Sequence, residues 1–384
     1  MRRRLAVVGI ATLAILLTAI PVRRTLDGLA LVVRAADFHG VMRRLADLNR
    51  VRIQERTVEI PVRDGTIAAR LYAPVGKARQ TVLLVSGLHP AGVDEPRLIA
   101  IARTLAEASI TVVTPEIPEL SHFAIVPNAT DRIEDAALWL SARSGLAPAG
   151  RIGLMGISFS GGLAVVAAAR PSLRDRLAYV FSFGGHDDLP RVLDYFCAGT
   201  EPDAPPGRSP PPHDYGVAIV LLNVAERLVP PDQLPALRDA VLRFLWASYL
   251  DRVDKAGAER EFRALRELAP MLPEPSSTLL EEVNNRDVGR LGSRLRPFIA
   301  FYGNAPALSP ERSPAPLTKV YLLHGRDDNV IPASESVHLA NRLRGRVPVR
   351  LLVTDLVSHV EADHPVDAID VLKLGRFWGN LLAE

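Results

Sequence analysis

The stretch Arg151-Ile-Gly-Leu-Met-Gly-Ile-Ser-Phe-Ser-Gly-Gly-Leu-Ala164 decides how the chain is read. An apolar strand runs into a serine flanked by very small residues, and an Ala/Val-rich helix follows. A serine at the tip of a strand-to-helix turn exposes its hydroxyl above a sheet, where a base can reach it; this is the nucleophile-elbow pattern. The turn is tight, so the positions two before and two after the serine approach each other and both must be small. Around Ser158 they are Gly156 and Ser160. Glycine is the common residue at the second of these positions; Ser160 departs from it, and Gly161 and Gly162 follow at once. The helix beginning near Gly161 aims its N-terminus at the site, which favours an oxyanion. The competing reading of the same residues is a glycine-rich turn with a capping serine.

Two later segments bear on that choice. Lys319-Val-Tyr-Leu-Leu-His-Gly-Arg-Asp-Asp-Asn-Val-Ile-Pro332 is a short apolar strand ending in a polar loop with paired aspartates. A serine–histidine pair needs an acid that fixes the imidazole tautomer and stabilises the imidazolium. Asp328 stands three residues past Gly325 and is the candidate; Asp327 is the alternative. A turn or helix-cap aspartate is the plainer reading of either. Val349-Arg-Leu-Leu-Val-Thr-Asp-Leu-Val-Ser-His-Val360 is a β-branched run ending at Ser358-His359, with a helical tail beyond. His359 is the candidate base, and His364, nearer the final helix, the alternative. A lone histidine is more often a satisfied surface or core residue. The order serine, aspartate, histidine, each just past an expected strand, shifts the weight towards chemistry.

On the elbow at residues 156–161, the loop at residues 324–332 and Ser358-His359, the chain resembles the α/β-hydrolase superfamily. It is most similar to the dienelactone-hydrolase-like and acyl-esterase-like branches. The resemblance covers residue 52 to the C-terminus, with a long insertion. It implies an α/β fold with a mostly parallel sheet covered by helices on both faces. It also implies Ser158 as nucleophile, His359 as general base and Asp328 as orienting acid, with no metal or organic cofactor. The oxyanion hole would then be two backbone N–H groups. One belongs to Phe159; the other lies in the loop after the strand Gln80-Thr-Val-Leu-Leu-Val-Ser-Gly-Leu-His, where Leu88 follows the glycine. The family usually has His-Gly there; this chain has Ser86-Gly87, and the His-Gly-Gly-Gly lipase signature is absent. His89 reads as a loop histidine near the mouth.

With 48% hydrophobic and 23% charged residues, the 384-residue chain can bury a large core and carry insertions. Cys197 is the single cysteine, which excludes an intramolecular disulfide and a cysteine-based zinc cluster. The net charge of +3 is unevenly spread: residues 1–56 hold 11 Arg against 4 Asp or Glu, a local +7, so the remainder carries −4. A nucleic-acid partner would need a basic patch on the folded body, and none is expected. Membrane phosphate suits those arginines better.

The leader reads Met1-Arg-Arg-Arg, an uncharged run from Leu5 to Ile20, then Pro21-Val22-Arg23-Arg24. Such a run is a signal peptide or a slightly short transmembrane anchor. Without a convincing cleavage site before Arg23, residues 1–24 are expected to anchor the chain, with the catalytic body extracytoplasmic. Residues 25–51 read as an amphipathic linker helix, resting on the membrane surface or packed on the core.

The body divides into a catalytic core, residues 52–186 and 317–384, and an insertion, residues 187–316. Strands are expected at 57–62 and 67–72 around Asp64-Gly65, then at 82–86, 110–113, 177–183 and 349–356, and helices at 96–108 and 130–142, with Thr130 as cap. The insertion opens on a proline-rich run at 201–212, and helices follow at 216–228, 233–250, 257–268 and 276–291, forming a cap over the site. Its aromatics Phe196, Trp246, Tyr249 and Phe301 are expected to pack helices.

These features point to a serine hydrolase acting on an ester or related acyl bond of a small molecule. A peptidase on the same three residues is the nearest enzymatic alternative. A membrane-tethered binding protein without turnover is the other, motivated by Ser160 and Ser86. The cluster His359-Val-Glu-Ala-Asp-His364 gathers four metal-ligating residues, but its spacing is not that of the His-Glu-x-x-His zinc motif.

Overall fold

The computed structural model describes residues 20–36, 38–201, 210–357 and 367–384. Eight strands form one sheet: β1 Ile53–Val62, β2 Gly65–Pro74, β3 Gln80–Val85, β4 Ile110–Pro115, β5 Ile152–Ile157, β6 Leu177–Phe183, β7 Lys319–Gly325 and β8 Val349–Thr354. Their order is β1-β2-β4-β3-β5-β6-β7-β8. β1 and β2 make the hairpin expected around Asp64-Gly65, and β2 pairs antiparallel with β4. The remaining pairs are parallel. The inner strands are apolar on both faces because helices cover both, as a parallel sheet requires. Along β3 the period of two is plain. Leu83 and Val85 face one apolar layer with the helices Asn128–Ser141 and Phe159–Ala168; Val82 and Leu84 face the other, with Pro96–Glu107 and Ala368–Leu381.

Four sequence expectations are corrected. The helix expected at 130 starts at Asn128, so Thr130 is no cap; it lies buried in the first turn and its hydroxyl donates to the Ala307 carbonyl at 2.7 Å. Within the insertion, Leu189–Ala198 is a helix that the sequence reading did not assign. The single helix expected at 276–291 is two, Ser276–Asn284 and Val288–Leu295. They are parted at Arg286 (φ 54°), where the Asp287 carboxylate caps the second helix through the Arg290 N–H at 3.0 Å. The linker also divides: residues 20–35 form one helix, and Val41–Ala46 a short second one after Gly40, whose φ of 76° suits glycine.

Helix 20–35 packs on the core. Leu31 is buried, and the crossing with Ala368–Leu381 is so close that a Cβ on Gly28 would run into the Gly375 carbonyl and one on Gly379 into the Arg24 carbonyl. The uncharged leader run lies, but for Ile20, outside the described residues; of the expected anchor at 1–24 only residues 20–24 are described, and they belong to this helix. Among the described residues no helix is long and apolar enough to cross a membrane.

Candidate active site

The elbow follows from its small residues. A Cβ on Gly156 would strike the Ser160 carbonyl, one on Gly161 the Ser182 hydroxyl, and one on Gly162 the His186 ring. With those contacts closed, Ser158 is held at φ 55° and ψ −130°, a conformation that costs an L-residue about 1–3 kcal/mol. Its N–H donates to the Phe183 carbonyl at 2.6 Å, and its carbonyl accepts from the Gly161 N–H at 2.8 Å. Ser160, the departure from glycine, is fully buried: its hydroxyl accepts from the Ile157 N–H at 2.9 Å and donates to the Val85 carbonyl at 3.0 Å. It ties the elbow to the end of β3. Beneath lies His186, its ring stacked on Phe159 with centroids 5.1 Å apart and its Nε2 donating to the Leu308 carbonyl at 2.7 Å. Burial pushes the His186 pKa down, so the ring stays neutral.

Ser158 opens on a cavity of about 440 Å3 at the C-terminal ends of the strands, where α/β sheets bind ligands. Gly87 lies beside it: a Cβ there would stand 3.1 Å from the Ser158 Cβ, so the loop carrying Leu88 passes against the nucleophile. Neither the Phe159 nor the Leu88 N–H donates to a backbone acceptor among the described residues. Asp328 lines the same cavity. It is buried, and its Oδ1 accepts from the Val330 and Ile331 N–H groups at 2.9 and 3.0 Å. Its neighbour Asp327 is exposed. The structure therefore brings Ser158, Asp328, Phe159 and Leu88 to one place. His359 and His364 lie outside the described residues, as does the 359–364 cluster; Val357, just before them, lines the cavity. Among the described residues no group of three or more His, Cys, Asp or Glu could hold a metal ion.

A strained serine on the turn after β5, over a mostly parallel eight-stranded sheet with an insertion after β6, decides the architecture. This is an α/β-hydrolase fold. No protein-family model and no curated protein matches the sequence. Among solved structures, the chain is similar to an esterase from Pyrobaculum calidifontis, with a TM-score of 0.45 and 18% identity over 95% of this chain and 91% of that one. Brefeldin A esterase, a bacterial homologue of human hormone-sensitive lipase, gives 0.47 and 15% over 88% and 74%. An acylaminoacyl peptidase from Pyrococcus horikoshii gives 0.44 and 12% over 88% of this chain but only 42% of the peptidase.

Loops and the insertion line the rest of the cavity, with residues to which sequence reading assigned no such place. Of the four insertion aromatics expected to pack helices, only Phe196 is buried. Trp246 and Phe301 are exposed, and Phe301 lies under the Arg227 guanidinium, 4.1 Å from ring centroid to Cζ. Tyr249 lines the cavity and meets His89 edge-on, with centroids 4.8 Å apart. His89 accepts the Ala91 N–H on Nδ1 at 3.2 Å. Its pKa falls to about 4, chiefly because it is buried; Arg97 and Arg252 push the same way, against Glu95. Tyr215 and His213 also face the cavity. Burial pushes the Tyr215 phenol far up, so it remains a neutral donor. His213 joins the insertion to the aspartate loop: its N–H donates to the Asn329 carbonyl at 2.8 Å, and its Nδ1 stands 2.9 Å from Asp214. No local pattern marks Tyr249 or His213, whose contacts at the cavity, with His89 and Asn329, join segments distant in sequence.

Proposed function

We propose that the protein is a serine hydrolase that cleaves a carboxylic ester or related acyl bond of a small molecule through an acyl-enzyme. The reading rests above all on Ser158, strained at the tip of the elbow and open to a largely apolar cavity shared with Asp328. In this mechanism the Ser158 hydroxyl attacks the acyl carbonyl while His359 takes its proton. The Phe159 and Leu88 N–H groups receive the negative charge that develops on the carbonyl oxygen. His359 returns the proton to the leaving alcohol, and the ester to Ser158 remains. Water, deprotonated by His359, then attacks that ester; the acid leaves and Ser158 regains its proton. Asp328 holds the imidazole in the required tautomer and stabilises its charged form. The helix Phe159–Ala168 adds its N-terminal dipole to the same oxyanion.

A fluorophosphonate tests the nucleophile directly. Labelling is expected on Ser158, and Ser158→Ala should abolish it while lowering ester turnover by at least about three orders of magnitude and leaving the fold intact. Unchanged turnover in that variant would reject the mechanism. Absence of both labelling and hydrolysis across acyl esters of graded chain length would favour the non-catalytic binding protein.

A further inference from the structure

The segment just after helix 20–35 presents an apolar face on which nothing rests among the described residues. Phe38, Val41, Met42, Leu45 and Leu48 are between 43% and 76% exposed. Within Val41–Ala46 and the turn that follows, positions 41, 45 and 48 recur at helical spacing, so they share a side. Ala46, on the opposite side, is buried. Large apolar side chains clustered in this way mark an interaction surface.

Charge indicates what covers it. Residues 38–52 hold four arginines and one aspartate. Arg44 and Arg52 are exposed, as are Arg23 and Arg24 in the preceding helix. Arg34 is buried nearby, with its Nε and Nη1 without a hydrogen-bond partner among the described residues. Immediately upstream, the sequence from Leu5 to Ile20 carries no charge. Basic residues around exposed apolar ones, joined to a long uncharged run, suit a surface that is apolar inside and anionic at its rim. We propose that residues 38–48 dock on the headgroup region of a bilayer containing anionic phospholipid. Phe38, Val41, Met42, Leu45 and Leu48 enter the interface, and Arg44 and Arg52 meet the lipid phosphates. The proposal is independent of the hydrolytic mechanism.

Quenching by lipid tests it on the full chain. Leu48→Cys carries a bimane label; Cys197 is buried, which pushes its thiol up to about 12, so the label stays at position 48. Met271→Cys, equally exposed on the insertion, is the control. The labelled proteins are reconstituted into vesicles with about three parts in ten phosphatidylglycerol, with and without lipid bearing a shallow doxyl group. The expected result is at least about twofold quenching at position 48 and little at 271, with the loss at 48 largely reversed by Arg44→Glu/Arg52→Glu. A water-like, unquenched label at 48 would overturn the proposal. So would a label shielded without lipid quenching in proportion to protein concentration, which would assign the face to a second copy of the chain.

Discussion

Ser160 turns a sequence irregularity into a structural tie. Where glycine would leave the turn held only by its backbone, the hydroxyl joins the Ile157 N–H to the Val85 carbonyl, linking the end of β5 to the end of β3. Both partners are then satisfied away from water, and removing the hydroxyl leaves them short of a bond. Ser160→Ala is expected to lower stability by about 1–3 kcal/mol in urea unfolding and to reduce turnover, because the Ser158 backbone loses a restraint. Ser158 itself was legible because its requirements are local: small residues two before and two after, and a strand leading in. Choosing between Asp327 and Asp328 was harder. Adjacent loop residues differ only in which way the turn points them, and here the Val330 and Ile331 N–H groups turn Asp328 inward. Tyr249, expected to pack helices, was beyond local reasoning, since it reaches the cavity beside His89, far away in sequence; His89 itself was legible as a loop residue near the mouth.

Among elements, the insertion is fastened to the core by a buried ionic junction. Glu335, in the first turn of the helix Ala333–Leu343, accepts from the Asp187 and Asp188 N–H groups at 2.8 and 2.9 Å and pairs with Arg191. Asp187 pairs with Arg342 at 2.7 Å and Asp188 with Arg312 at 3.0 Å, so the start of the insertion is clamped from both sides. Glu335→Ala would strand two buried amides and leave the half-buried Arg191 guanidinium to Glu311 alone. A loss of about 3–5 kcal/mol is expected in chemical denaturation, with Glu335→Gln recovering part of it. The alternation of strands and helices in the core could be read from periodicity, because each strand there is an apolar run bounded by turns. The insertion was less legible. Arg286 breaks a helix without glycine or proline to announce it, whereas Gly40 at the break in the linker was a signal passed over.

For the whole molecule, two histidines whose pKa values burial lowers make the fold sensitive to acid. Folded His89 titrates at about 4, below an ordinary histidine, and His186 is shifted the same way by burial. From about pH 6.5 downward the unfolded chain therefore binds protons that the folded chain refuses; stability is full above that range and is lost as pH falls towards 4. Urea midpoints should drop between pH 7 and 5, and less steeply in His89→Gln. An equal slope in the two proteins would refute this account. The helix Pro96–Glu107 has a second role at this scale. Its first turn, fixed by the Glu95 carboxylate on the Leu98 N–H at 2.6 Å, borders the cavity, and its last residue pairs with Arg50 beside the arginine-rich segment. At 1.5 Å per residue this strut keeps the two ends about 18 Å apart. A protein seated on lipid by its lower end would hold its mouth out in the aqueous phase. Its rate would then follow the dissolved concentration of substrate rather than the mole fraction in the bilayer.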